Sequence, residues 1–224
     1  MRAHLLGALL LLASLAGAAE TKYNIFNEGT KVGTLTRNLE GSEADGFTDT
    51  NVIELEQEGK TAKLTEIHKY DKEGLVSEST LKVMAEGTEF TMFATFGDDG
   101  AKVKATLPDG TEDGREIPLA TETTRKDPTW FWFKTIKPEV GTKGIYQNFS
   151  LQTGQWSDVS YEFKGRSKVT IGDKEIEANE IESIETSKNE DGEEETETTK
   201  IFLDDNGDLL VQESDDQKIE RIME

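Results

Sequence analysis

The sequence predicts an all-β protein: a large curved antiparallel sheet, a half-barrel, holding one short central helix. Three observations carry this reading. From Lys22 onward apolar and polar residues alternate with period two, as in strands with one buried and one wet face. Gly- and Asp-rich turns interrupt the alternation at hairpin spacing. One stretch alone breaks the pattern, Asp127–Gly141, with four aromatics in a row between two prolines.

Tyr23–Phe26 leads to a turn at Asn27-Glu28-Gly29, and Val32–Thr36 resumes the pattern. A polar connection, Gly41 to Gly46, precedes a strand at Asn51–Gln57. The turn Glu58-Gly59-Lys60 leads into Thr61–Tyr70. Asp71–Gly74 is a hairpin turn, with Leu75, Leu81 and Val83 on the return strand. In the next hairpin Phe90, Met92, Ala94 and Phe96 share one face. Gly97–Gly100 turns, and Ala101, Val103, Ala105 and Leu107 share a face of the partner strand. Pro108-Asp109-Gly110 and Glu112-Asp113-Gly114 predict an irregular stretch.

In the aromatic segment Asp127 suits a helix N-cap and Pro128 the first helical position, where a missing N–H costs nothing. Trp130, Phe131, Trp132, Phe133 and Ile136 cannot all face one way, so the predicted helix needs cover on more than one side. Pro138 ends it and Gly141 permits a sharp exit. Beyond Gly144 come strands at Ile145–Leu151, Val159–Phe163, Ser167–Ile171 and Glu175–Thr186. An acidic hairpin tip at Lys188–Glu195 follows, then strands at Thr196–Leu203, Asp208–Glu213 and Ile219–Ile222. A dozen strands in such a chain accumulate twist and curl, and a helix inserted mid-chain favours the half-barrel over the alternative, a β-sandwich.

Residues 1–19 read as a cleaved signal peptide: Arg2 and His4, the apolar run Leu5–Leu15, then Ala16-Gly17-Ala18. The apolar run is too short to span a bilayer. Residues 20–224 are then one β-rich domain, exported to the periplasm or the exterior. The chain carries 25 basic and 46 acidic residues, a net charge of −21. That balance argues against nucleic acid and against electrostatic adsorption to anionic membranes. With no cysteine there is no disulfide, so stability rests on buried apolar area, and a hydrophobic fraction of 34% fits a sheet with one wet face.

Four pieces carry a resemblance: Lys31-Val32-Gly33-Thr34, Tyr70-Asp71-Lys72-Glu73-Gly74, Lys137-Pro138-Glu139-Val140-Gly141 and Leu203-Asp204-Asp205-Asn206-Gly207-Asp208-Leu209-Leu210. In these the chain resembles a group of exported bacterial β-rich domains of unknown function, similar in plan to periplasmic lipoprotein carriers. The resemblance implies a curved half-barrel outside the cytoplasm. Some members of such groups precede a transglutaminase-like domain; a chain without cysteine does not inherit that activity.

Catalytic constellations are sparse. After signal removal His68 is the sole histidine, set in a charged strand between Ile67 and Lys69, and reads as a surface imidazole. No G-x-S-x-G elbow exists. One His and no Cys make a zinc site a poor fit, and no cofactor is expected. Carboxylate pairs can serve glycoside hydrolysis, but 46 acidic residues supply pairs by chance. Asp204, Asn206 and Asp208 imitate the start of a calcium loop. Leu209 stands where glycine is required, and an Asn-Gly hairpin turn of type I′ explains the run as well. Asn148-Phe149-Ser150 matches a glycosylation acceptor by chance.

The expected role is therefore non-catalytic. Phe90, Met92 and Phe96 on one side, with Trp130, Trp132 and Phe133 opposite, would line an apolar space for a lipid-like or hydrophobic polypeptide ligand, or dock an envelope protein. A structural domain pairing through a strand edge and a carboxylate-based hydrolase are the alternatives. The first predicts a filled core; the second predicts a polar cleft with a strongly shifted acid.

Overall fold

Period-two patterning becomes one continuous antiparallel sheet. The structure, a computed structural model, describes residues 20–42, 45–57, 59–119, 137–188 and 194–223. Among these lie fourteen strands and no helix. The first eight are β1 (Thr21–Asn27), β2 (Thr30–Ser42), β3 (Gly46–Gln57), β4 (Lys60–Tyr70), β5 (Val76–Ala85), β6 (Thr88–Gly97), β7 (Gly100–Thr106) and β8 (Glu112–Pro118). The rest are β9 (Lys143–Ser150), β10 (Gln155–Ile171), β11 (Lys174–Lys188), β12 (Glu194–Leu203), β13 (Leu209–Glu213) and β14 (Gln217–Arg221).

Neighbours in sequence are neighbours in space, with one exception that defines the topology. The order runs β8-β7-β6-β5-β4-β3-β2-β1-β14-β13-β12-β11-β10-β9. The first and last strands thus pair at the centre, with Ile25 opposite Ile219. The predicted helix over Asp127–Ile136 lies outside the described residues. The stretch after it, Lys137–Gly141, is not helical, and Gly141 (φ +86°) lies in a turn that leads into β9.

Three strand expectations are corrected. Glu112–Pro118 is not irregular but a strand, β8; its side chains show almost no burial alternation, and it is held by its ladder to β7. Val159–Phe163 and Ser167–Ile171 are one strand of 17 residues, interrupted by a bulge at Lys164 that shifts its register against β11. Gly41 and Gly46 bound no open connection, since the β2–β3 ladder extends to Ser42 opposite Gly46.

The inner face collects the core. Tyr23, Leu35, Ile53, Leu64, Val83 and Phe90 are successive cross-strand partners over six strands, and all but Val83 and Phe90 are buried. Each such side chain withdrawn from water contributes roughly 1.5–3 kcal/mol. The same face continues through Val159, Tyr161, Phe163, Ile181 and Ile201.

The sheet is rolled until its ends overlap. Phe96, in phase with Met92 and Ala94 on the inner face, packs edge-on against Phe149 (5.7 Å) and Trp156 (6.0 Å). Those two rings stand out of phase with the buried Tyr146 and Val159, and pair with each other at 4.9 Å. The β9–β10 tip therefore slips inside the β6–β8 end, with Arg115 of β8 lying against Gly154. On the opposite face the bulged tip of β10–β11 folds over β12 and β13. It buries Val169, Ile171 and Ala178 against Phe202, Leu210 and Val211 as a second, small core. The single curled sheet, not the two-sheet sandwich, is the architecture observed.

Candidate polar site on the inner face

Where β2 to β5 cross the inner face, two successive rows of the core turn polar. The row below Leu35–Ile53–Leu64 reads Arg37–Asn51–Glu66–Leu81–Met92, and the next reads Leu39–Asp49–His68–Ser79–Ala94. Phase fixes this placement: Asp49 and Asn51 alternate with Phe47 and Ile53, and Glu66 and His68 with Leu64 and Tyr70. Asp49 and Asn51 are wholly buried, Arg37 and Ser79 nearly so, whereas Glu66 and His68 keep some accessible surface.

Arg37 and Asp49 form a bidentate pair, with Nε donating to Oδ1 at 2.9 Å and Nη2 to Oδ2 at 2.6 Å. Planar fork geometry makes this the strong kind of ion pair. His68 Nδ1 lies 2.8 Å from Ser79 Oγ. Neither side-chain polar atom of Asn51 meets a partner, nor does Nη1 of Arg37. Buried polar groups are hydrogen-bonded in the great majority of cases, so two neighbours with open valences in an apolar face are unusual.

Charge at the site follows from burial. Burial pushes the Glu66 carboxyl up to about 7, tempered by a hydrogen bond with Gln152 from the tucked β9–β10 tip and reinforced by the charge of Asp49. Burial also lowers His68; Asp49 raises it and Arg37 lowers it further, so the imidazole stays neutral near pH 7. Tyr23, one strand from Arg37, is pushed up to about 12, again mainly by burial.

Asp49, His68 and Ser79 stand in one register row, superficially the composition of a nucleophilic triad. The geometry does not serve that chemistry. Asp49 is committed to Arg37, and His68 meets Ser79 through Nδ1. Ser79 sits buried in mid-strand, where the ladders to β4 and β6 occupy the backbone, and not at a sharp turn with free N–H groups. Glu66 is the shifted acid that a carboxylate hydrolase requires, but its carboxylate neighbour, Asp49, is sequestered.

His68 is thus not the surface imidazole expected. It faces the core because it shares the phase of Leu64 and Tyr70. The same phase argument, applied to polar residues in apolar positions, finds Asp49, Asn51 and Glu66 in the sequence. Arg37 follows from the phase of Leu35. Of the residues expected to bind ligand, Met92 is buried in the Arg37 row, Phe90 is partly buried one row away, and Phe96 sits at the overlap. Trp130, Trp132 and Phe133 lie outside the described residues.

The Asp204–Asp208 run is a turn organised by the Asp204 carboxylate. Asp204 Oδ1 accepts from the backbone N–H groups of Asn206 (2.8 Å) and Asp208 (2.9 Å). Gly207 alone takes positive φ, so the turn is not the type I′ expected. Asp71 does the same for Glu73 (3.0 Å) and Leu75 (2.8 Å), with Gly74 in the position of Gly207. A register shift precedes each turn, at Lys69/Tyr70 and at Phe202/Leu203.

No family model matches the sequence, and no curated protein matches it. Among solved structures, the chain is similar to a β-barrel-like protein of the domain of unknown function DUF1849 from Brucella abortus. The TM-score is 0.62 at 13% identity, covering 94% of this chain and 98% of that one. It also aligns with a protein from Bacteroides fragilis described as exported and having a YmcC-like fold, at 8% identity and a TM-score of 0.36. That alignment covers 90% of this chain and 92% of the other. At 13% identity the likeness to the Brucella protein is one of fold, and at that level the chain resembles β-rich domains of unknown function.

Proposed function

We propose that the protein is an exported, non-catalytic binding module that holds a lipid-like, amphipathic molecule against the inner face of its rolled sheet. One observation carries the reading: buried polar side chains with open hydrogen-bond valences, Asn51 and Arg37, set among apolar neighbours. An unmatched buried amide costs about 1–3 kcal/mol, a penalty that a bound polar head removes. Met92 and Phe90 flank the polar rows, and Phe96, with Phe149 and Trp156, supplies aromatic surface where the ends of the sheet meet. Trp130, Trp132 and Phe133 keep their place in the proposal as further apolar contacts, on the strength of the sequence. Export rests on the signal-like residues 1–19.

Native mass spectrometry of protein purified without detergent tests this. A co-purifying small mass that organic solvent extracts and that changes the intensity of Trp fluorescence supports the reading. A clean apo mass, together with no uptake of a neutral apolar dye such as N-phenyl-1-naphthylamine, refutes it. A bound polypeptide in place of a small molecule moves the assignment to an envelope protein partner.

A further inference from the structure

We infer that the row Arg37–Asn51–Glu66 selects an amphiphile whose head carries hydroxyl, ester or amide groups and no net charge, the class of a monoacylglycerol, over a fatty acid or a phosphorylated lipid. The inference rests on the binding reading above and narrows its ligand.

Charge bookkeeping on the inner face is the first argument. The guanidinium of Arg37 is already matched by Asp49 through two hydrogen bonds. An incoming carboxylate would add an unmatched negative charge beside Asp49, in surroundings that raise the cost of any lone charge. His68 offers no compensation because burial keeps it neutral. Ionised Glu66 would repel an anion outright. The protein as a whole, at −21, repels anions during approach.

The pattern of open valences is the second. Asn51 presents two amide donors and a carbonyl acceptor, all unfilled, and Arg37 presents the N–H groups of Nη1. A carboxylate or phosphate accepts only and leaves Asn51 Oδ1 unmet. A hydroxyl donates and accepts, and an ester or amide carbonyl takes the Nη1 donors. Access is the third argument. Glu66 and His68 keep accessible surface, as does Leu39 at the end of the second row, while Asn51, cross-strand from Glu66, has none. The head therefore enters past Glu66 and Gln152 and reaches Asn51 at full depth.

Displacement of N-phenyl-1-naphthylamine at pH 7 by 1-decanoylglycerol and by decanoate, matched in chain length, tests the selection. The expected result is half-displacement by the glyceride at a concentration at least tenfold lower than by the carboxylate. In Asn51→Leu, which keeps the branched shape but removes the donors and acceptor of Asn51, that preference should fall at least threefold, to the part set by charge, while the dye still binds. Equal or tighter displacement by decanoate overturns the inference and leaves the binding reading intact. A wild-type protein that binds neither the dye nor either amphiphile overturns both. Should Asn51→Leu not fold, the wild-type ratio still decides, with Asn51→Thr as the second variant.

Discussion

The sharpest energetic consequence of the inner polar rows concerns Asp49→Asn. The substitution keeps size and shape and removes one charge, leaving the Arg37 guanidinium buried without its counter-ion. The pair's side chains are 5% and 0% exposed, so water cannot take over the lost role. Two unit charges about 4 Å apart interact by about 4 kcal/mol at an effective dielectric of 20. Breaking a buried pair from one side costs about 3–5 kcal/mol. For a chain of this size that predicts a fall in Tm of roughly 6–20 °C. Glu116→Gln is the control. It breaks the Lys102–Glu116 pair at 3.1 Å, whose side chains are 74% and 77% exposed, and such surface pairs contribute at most about 1 kcal/mol. The assay is urea unfolding at pH 7 of wild type, both single variants and the double variant Arg37→Met/Asp49→Leu. The double variant should recover most of the loss, because it removes both charges together. A loss for Asp49→Asn no larger than that of the surface control would refute the reasoning.

Further outcomes follow from other sites. Glu66 has a folded pKa raised to about 7 above the ordinary carboxylate value of 4.5. Its contribution to stability is therefore fully present below pH 4.5 and is lost as pH rises through 7, on the order of 2–3 kcal/mol for a side chain that keeps some solvent contact. Glu66→Gln should match wild type near pH 4.5 and exceed it at pH 8, and the difference between the two unfolding curves isolates this group from His68, which acts in the opposite direction below 6.5; parallel curves would sink the assignment. At Gly144, cross-strand from Tyr161, an added Cβ meets the phenol ring, so Gly144→Ala should cost about 1–3 kcal/mol in denaturant unfolding, partly restored by Tyr161→Leu. Asp71→Ala and Asp204→Ala each remove an acceptor of two backbone N–H groups and should each cost about 1–2 kcal/mol. A calcium titration that raises the Tm of wild type but not of Asp204→Ala would contradict the turn reading.

Much of this fold is legible in the chain because alternation is a local signal. Leu35, Ile53, Leu64 and Phe90 declare their face without any knowledge of neighbours, and Asp71–Gly74 and Asp204–Gly207 declare their turns. What is not legible is long-range. Nothing near Ile25 or Ile219 says that they meet, and the overlap at Phe96, Phe149 and Trp156 depends on curvature summed over many strands. β8 reads as irregular because Gly114 and four charged residues mask a strand held mainly by its ladder to β7 and by surface ion pairs to Lys102 and Lys104. The single length of β10 escaped because its bulge at Lys164 resets the phase. The polar site lies between these cases. Its residues are in phase with the core, but His68 and Glu66 sit among Lys63, Lys69 and Thr65, so their polar neighbours mask their inward position.

The central seam between β1 and β14 sets a timetable for folding. Ile25 cannot find Ile219 until nearly every residue between them has been synthesised, so the two limbs of the roll stay unjoined until Gln217–Arg221 is delivered. A sheet closed by its first and last strands is a late-fastening one, its two halves free to form before the clasp between them is made. By the same logic, deleting β1 or β14 should open the sheet at its middle, whereas a cut in an outlying hairpin should leave the seam standing.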